Sequence, residues 1–196
     1  MTDWTKLTKN LEERDFTVRT FATAAEAADY LDREIDGVSV GFGGSMTVQE
    51  MGLYPRLAAH NNALWHWNKD ALDQAATTDV YICSANGLAE TGEIVNIDGV
   101  GNRVASTLFG HKRVYFVVGK NKIAPDYDKA LWRARNIASP KNAQRIGVQT
   151  PCAAKGDRCY DCKSPQRICR GLVVLWEKPK AIEQMEVILI DEELGY

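Results

Sequence analysis

Apolar side chains along this chain recur with two spacings, and the spacing changes from segment to segment. Trp4, Leu7 and Leu11 fall on one face of a helix. Residues 16–21 have the alternation of a short strand or extended link. Thr23-Ala24-Ala25-Glu26 is a capping box, in which the Thr and Glu side chains each satisfy an orphan N–H. It opens a helix with Ala27, Ala28, Leu31 and Ile35 on one face, closed by Asp36-Gly37. Residues 38–44 form a strand that runs into glycines, and a helix carrying Met51, Leu53 or Tyr54, and Leu57 follows. Further strands are expected at 63–67, 79–85, 93–98 and 113–119. The last is an apolar run of the kind a fully buried parallel strand needs. A short helix is expected over 70–76. Asp126 can cap a helix holding Ala130, Leu131, Ala134 and Ile137, and Ser139-Pro140 can start another. Residues 172–176 and 185–190 are the final strands.

Strands alternating with helices imply βαβ units. The expected fold is α/β, a Rossmann-like open, mainly parallel sheet with helices on both faces. The 196 residues suit a single domain over 1–196, with a cysteine-rich segment at 151–170. Hydrophobic residues make up 45% of the chain and charged residues 26%, which excludes a disordered chain, a collagen-like repeat and a coiled coil. No stretch approaches the ~20 apolar residues that span a bilayer. Residues 1–6 lack the apolar core of a signal peptide, so the expected location is cytoplasmic. With 24 basic and 26 acidic residues the net charge is −2, and nothing here points to nucleic acid or a membrane as partner.

Candidate chemistry lies in three places. The first is Gly41-Phe42-Gly43-Gly44-Ser45-Met46-Thr47, a strand feeding a glycine-rich turn and then a helix. Glycines let backbone approach an anion, a helix N-terminus supplies N–H groups, and Ser45 and Thr47 add hydroxyls. Met46 stands where a dinucleotide fingerprint has its last glycine, and no Gly-Lys-Ser/Thr follows. The turn is either a seat for phosphate or carboxylate, or an ordinary strand-to-helix turn with Ser45 or Thr47 as cap. The second place is the polar run 84–93, continued by Asn96, Asp98, Asn102 and Arg103. Ligands in open α/β sheets bind beyond the carboxyl ends of strands. There Glu90 can serve as base or nucleophile, and Arg103 can pair a carboxylate or phosphate. A hairpin whose Asn and Gly residues serve its turns explains the same residue types.

The third place holds four of the five cysteines. Cys152, Cys159, Cys162 and Cys169 have the spacing C-x6-C-x2-C-x6-C. In a reducing compartment clustered thiols point to metal, and four thiolates suit a tetrahedral zinc or a [4Fe–4S] cluster. Residues 141–170 carry seven basic and two acidic side chains, a local charge of +5 that would offset such a site. Free thiols or a redox-active Cys159/Cys162 pair remain as alternatives. Cys83, in an apolar strand, reads as a small buried hydrophobe. His60, His66 and His111 form no metal spacing. Lys120-Asn121-Lys122 follows a buried strand and either faces a ligand or lies in a solvated loop.

Taken in order, residues 43–47, 87–93, 102–105, 117–122 and 151–170 resemble the LUD domain family of lactate-utilisation proteins. The similarity runs from about residue 5 to Tyr196. The resemblance implies a fold like ribose-5-phosphate isomerase and the CoA transferases (the NagB/RpiA/CoA transferase group). In those isomerases the equivalent of the 40–47 turn faces a sugar phosphate. In the transferases a glutamate is the nucleophile, for which Glu90 or Glu93 is the nearest match. Larger family members take part in oxidising L-lactate to pyruvate and carry separate ferredoxin-type cluster domains, for which this chain is too short. The reading that follows is a redox component for L-lactate or a similar hydroxy acid. Gly43, Gly44, Ser45 and Thr47 would hold an anionic substrate. Asn86, Glu90, Asn102 and Arg103 would form the opposite wall. Cys152, Cys159, Cys162 and Cys169 would bind a [4Fe–4S] cluster facing a redox partner protein. The alternatives are an isomerase or acyl-CoA-type transferase using Glu90 beside a structural zinc, and a non-catalytic accessory subunit.

Overall fold

The computed structural model describes residues 2–68 and 71–196. Its centre is a six-stranded sheet, parallel throughout, in the order β1-β10-β7-β4-β2-β3. These strands are β1 (Thr17–Phe21), β2 (Ser39–Phe42), β3 (Asn62–Trp65), β4 (Val80–Cys83), β7 (Arg113–Gly119) and β10 (Gln184–Ile190). Strand alternation divides the core in two. From β7, Tyr115 and Val117 face one side, where they meet Ala27, Ala28, Leu31 and Ile35 of α2 (Ala24–Glu34). Val48 of α3 (Met46–Glu50) and Leu53 and Leu57 of α4 (Leu53–Leu57) close that layer. Val114, Phe116 and Val118 face the other side, against Leu7 and Leu11 of α1 (Thr5–Glu12). The capping box at Thr23 forms as the sequence indicates, with both reciprocal bonds present.

The second face also carries something the periodicity did not predict. A four-stranded sheet in the order β8-β5-β6-β9 packs there through Leu88, Ile94 and Leu175. It comprises β5 (Gly87–Ala89), β6 (Ile94–Asp98), β8 (Ile123–Ala124) and β9 (Gly171–Leu175), with β6 antiparallel to both neighbours. β5 and β8 are too short to show a period of their own. α5 (Asn102–Ser106) follows β6. α6 (Tyr127–Arg133) covers the outer side of this sheet through Ala130, and Asp126 caps it by accepting the Lys129 N–H.

Three expectations change. The single helix expected after Ser45 is two, because Gly52 turns into the left-handed region at φ +62° and ends α3. Ser139-Pro140 does open α7 (Ser139–Ile146), with Pro140 in its first turn, but that helix is not separate from the one before it. α6 continues through a π-helical turn, Ala134–Ala138, into α7. Pro140 has no N–H to extend the ladder, and the turn before it widens, with Ser139 Oγ donating to Ala134 O at 2.9 Å. The helix expected over 70–76 is a 3₁₀ turn at Gln74–Thr77, and Asp70 itself lies outside the described residues. α8 (Pro151–Lys155) opens the cysteine segment.

Candidate functional site at the carboxyl edge of the sheet

A cavity of about 670 Å³ lies beyond the carboxyl ends of β2, β3, β4 and β7. Strand ends and turns supply one wall: Gly44 and Ser45 after β2, His66 and Trp67 after β3, Ser84 and Asn86 after β4. The second sheet and α5 supply Ile97, Asp98, Asn102 and Arg103, and Lys122 rises from the turn after β7. α7 adds Ser139, Asn142 and Arg145, spaced three apart and so on one helical face. Arg167, Ile168 and Tyr196 complete the rim.

The glycine turn works by permitting close packing. Gly44 donates its N–H to His66 Nδ1 at 3.0 Å, and a Cβ there would stand 2.6 Å from His66 Cε1 and 2.9 Å from Trp67 Nε1. Gly43 donates to Ile82 O, and a Cβ would meet the Tyr81 hydroxyl at 2.9 Å. Ser45 caps α3 by accepting the Val48 N–H, while fully buried Thr47 donates to Leu194 O at 3.1 Å. Of the four residues expected to hold an anion, Gly44 and Ser45 line the cavity. Gly43 and Thr47 pack behind it.

His66 Nδ1 accepts from a second donor, Asn102 Nδ2, at 3.1 Å. Two donors on one nitrogen fix the neutral tautomer with its proton on Nε2. Burial holds the imidazole below its ordinary pKa, and Arg103 and Arg145 add to this against the opposing pull of Asp98.

Arg103 is nearly buried, and its guanidinium is occupied by the protein. It donates to Ser84 O (3.3 Å), Asn96 Oδ1, Asn86 Oδ1 (3.2 Å) and Ile97 O (2.6 Å). Asp98 Oδ2 is 3.8 Å from its Nε. Burial alone would raise the Asp98 carboxyl. Arg103 and the N–H groups of Gly101, Val100 and Val104 outweigh it and hold the group below its usual value. Arg103 thus joins the two sheets and presents a positive field to the cavity. Arg145 donates to Tyr196 Oη at 2.7 Å and to Asn142 Oδ1, and stacks 5.2 Å over Trp67.

Lys122, which the sequence left between ligand-facing and solvated, is 4% exposed. Its Nζ donates to Ser84 Oγ at 3.0 Å. Among the described residues no carboxylate is in ion-pair contact with it. Burial, then Arg133 and Arg103, push its pKa down to about 7.

Glu90 is not brought to the cavity. It follows β5 in the turn toward β6, half-exposed, and its Oε2 accepts from Lys6 Nζ at 2.7 Å. Glu93 pairs Arg14 at 2.7 Å. The polar run around them is the hairpin between β5 and β6.

The cysteines do not line the cavity, although Arg167 and Ile168 of their loop do. Cys83 is fully buried, and burial pushes its thiol up to about 12. Cys152, on α8, and Cys159, Cys162 and Cys169, on the irregular loop after it, are free and half-buried. Arg167 holds this loop, donating to Cys169 O at 2.8 Å and Cys162 O at 2.9 Å. Cys159 Sγ accepts from Asp161 N at 3.3 Å and Arg135 Nη2 at 3.8 Å. Among the described residues no three His, Cys, Asp or Glu side chains converge closely enough to hold a metal ion. As arranged here the four thiols do not fit a zinc or [4Fe–4S] ligand set.

Among the lining residues, His66, Arg145 and Arg167 were not expected at a ligand, and Lys122 was left open between a ligand-facing and a solvated position. Lys122 carried a legible signal, since it lies three residues past the end of an apolar parallel strand. Arg145 and Arg167 come from distant elements and carried none.

The architecture is of the open parallel α/β class, with a basic cavity at the carboxyl edge of the sheet. Within that class the chain belongs to the LUD domain family, whose model matches residues 4–190. Its fold is similar to a DUF162 family protein from Deinococcus radiodurans, with TM-score 0.53 and 13% identity, covering 97% of this chain and 99% of that one. Ribose 5-phosphate isomerase A from Neisseria gonorrhoeae aligns over 52% of each chain, with TM-score 0.35 and 13% identity. None of the curated proteins matches. No helix among the described residues is long and apolar enough to cross a membrane.

Proposed function

We propose that this lactate-utilisation-type protein binds a small anion in the cavity, and that the anion is a hydroxy acid such as L-lactate or the corresponding 2-oxo acid. The observation that carries the reading is the charge on the lining. Among the described lining residues Arg103, Lys122, Arg145 and Arg167 are basic, and only Asp98 is an acidic side chain, already held by Arg103 and backbone N–H groups. Partly desolvated cations attract a carboxylate more strongly than they would in water. The volume suits a ligand of metabolite size. The family supports the hydroxy-acid setting. No electron-transfer step is assigned to the cysteines, whose arrangement does not fit a cluster. An isomerase or acyl transferase using Glu90 gains nothing from the geometry, because Glu90 is paired with Lys6 outside the cavity.

Thermal unfolding with L-lactate, pyruvate, inorganic phosphate and ribose 5-phosphate tests this reading. A ligand at a hundredfold excess over Kd stabilises the native state by ~2.7 kcal/mol. A shift with the carboxylates that Arg145→Ala weakens is the expected result. A shift with the phosphates alone would reassign the ligand, and no shift with any of the four would overturn the reading.

A further inference from the structure

Lys122 differs from every other cation of the cavity. Arg103 faces Asp98, Arg167 faces Asp161 at 3.3 Å, and Arg145 shares its donors between Asn142 and Tyr196. Lys122 is almost wholly buried and has a hydroxyl for its partner, Ser84 Oγ, which lies 3.4 Å from Thr47 Oγ1. Its backbone is braced from behind. Arg133, on α6, donates to Asn121 O at 2.8 Å and to Asn86 O at 2.6 Å. Asn121 in turn accepts from Leu194 N at 3.1 Å. The turn that carries the amine is therefore held by α6 and by the segment after β10.

A buried ammonium that feels the guanidiniums of Arg133 and Arg103, opposed by Glu50 but with no carboxylate in ion-pair contact among the described residues, is a poor structural device. A hydrophobic side chain would fill the space at less cost. An uncharged amine in the same place is a nucleophile, and desolvation beside other cations is one established way of making a lysine reactive toward carbonyls. The depressed pKa of Lys122 agrees with this.

We propose that Lys122 is a carbonyl-trapping amine, and that its substrate is a small 2-oxo acid bound in the cavity with its carboxylate among the cations. This rests on the anion-binding reading above and adds a covalent step to it. The Nζ lone pair attacks the carbonyl carbon, and the carbon–oxygen π pair moves to oxygen. That oxygen gains a proton as the nitrogen loses one, which gives a carbinolamine. The hydroxyl then leaves with a second proton as water while the nitrogen lone pair forms the imine. Amine and carbonyl become imine and water, with no oxidant or reductant consumed. Ser84, hydrogen-bonded to Nζ, is placed to pass the proton between nitrogen and oxygen.

The test is to treat the whole chain with pyruvate and sodium borohydride, which reduces an imine to a stable secondary amine. Intact mass and peptide mapping then locate the product, and thermal unfolding with pyruvate is followed in parallel. One reduced adduct per chain at Lys122, absent from Lys122→Arg and Lys122→Met, is expected. Lys122→Met removes an amine without an ionic partner, so that variant is expected to fold. If pyruvate raises the melting temperature but leaves Lys122 unmodified, or labels surface lysines equally, the covalent step is wrong and the anion-binding reading stands. If pyruvate neither shifts the melting temperature nor gives an adduct, the covalent step falls, and the other three ligands decide whether the anion-binding reading falls with it.

Discussion

The carboxyl-edge cavity and the cysteine segment are both dense in polar and reactive side chains, but they are built differently. At the centre of the cavity the polar groups stand at strand ends or on the short α5 and are held by buried or half-buried partners. Arg103 alone ties Ser84, Asn86, Asn96 and Ile97 together. In the cysteine segment the contacts are made by exposed or half-exposed groups, such as Arg135 and Arg167 with Asp161, on a loop with one five-residue helix. The striking spacing was in the loop and the convergent geometry is at the sheet edge. A spacing along an irregular segment says little about distance in space, whereas a position just past a parallel strand specifies where a side chain stands.

The sharpest way to break this contrast is to remove Arg103. Arg103→Ala leaves buried acceptors on both sheets without donors, together with an unpaired Asp98, and should destabilise the protein by about 3–5 kcal/mol. Urea unfolding measures it, and a loss under 1 kcal/mol would mean that the two sheets do not depend on this link. Lys122→Met should act in the opposite direction. The unfolded amine titrates near 10.5 and the folded one at about 7. Below pH 7 the folded chain carries the full cost of a buried ammonium beside Arg103 and Arg133, eased by Glu50. The cost declines as pH rises toward 10.5. The variant should therefore gain a few kcal/mol at pH 6, at about 1.4 kcal/mol per pKa unit, and that gain should shrink through pH 9. A gain that does not change with pH would show that the amine titrates alike in the folded and unfolded chain, so that burial does not shift Lys122.

Smaller effects follow from the turn and from the periphery. Gly44→Ala drives a methyl into His66 and Trp67 and should cost about 1–3 kcal/mol along with most of the ligand-induced thermal shift. Glu90→Gln removes a half-exposed ion pair with Lys6. It should cost under about 1 kcal/mol and leave the ligand shift unchanged. Cys159→Ser, on the loop, should change stability by less than about 0.5 kcal/mol. A loss of several kcal/mol in that variant would show that the segment is tied together in solution more tightly than its contacts suggest.

Much of the architecture was legible beforehand. The apolar runs of β7 and β10, the alternation of strand and helix, the capping box at Thr23 and the Asp126 cap all rest on short-range regularities that sequence displays. The second sheet was not, because β5 and β8 have three and two residues and are strands only through their partners. The site divided in the same way. Gly44, Ser45, Asn86, Asn102 and Arg103 were expected at a ligand wall and do line one cavity. Glu90, chosen for its residue type, is turned to Lys6 on α1, some 84 positions away in sequence.

Sequence was sufficient for the parallel α/β class, for the family, and for the strand ends at which a ligand site would open, because periodicity, caps and ordered motifs are local properties of a chain. Tertiary structure alone decided that Lys122 is buried with no carboxylate in ion-pair contact among the described residues, that His66 Nδ1 accepts from Gly44 and Asn102, and that no three metal-ligating side chains converge among the described residues. Those outcomes depend on what distant segments bring alongside, and on the desolvation that follows when they do.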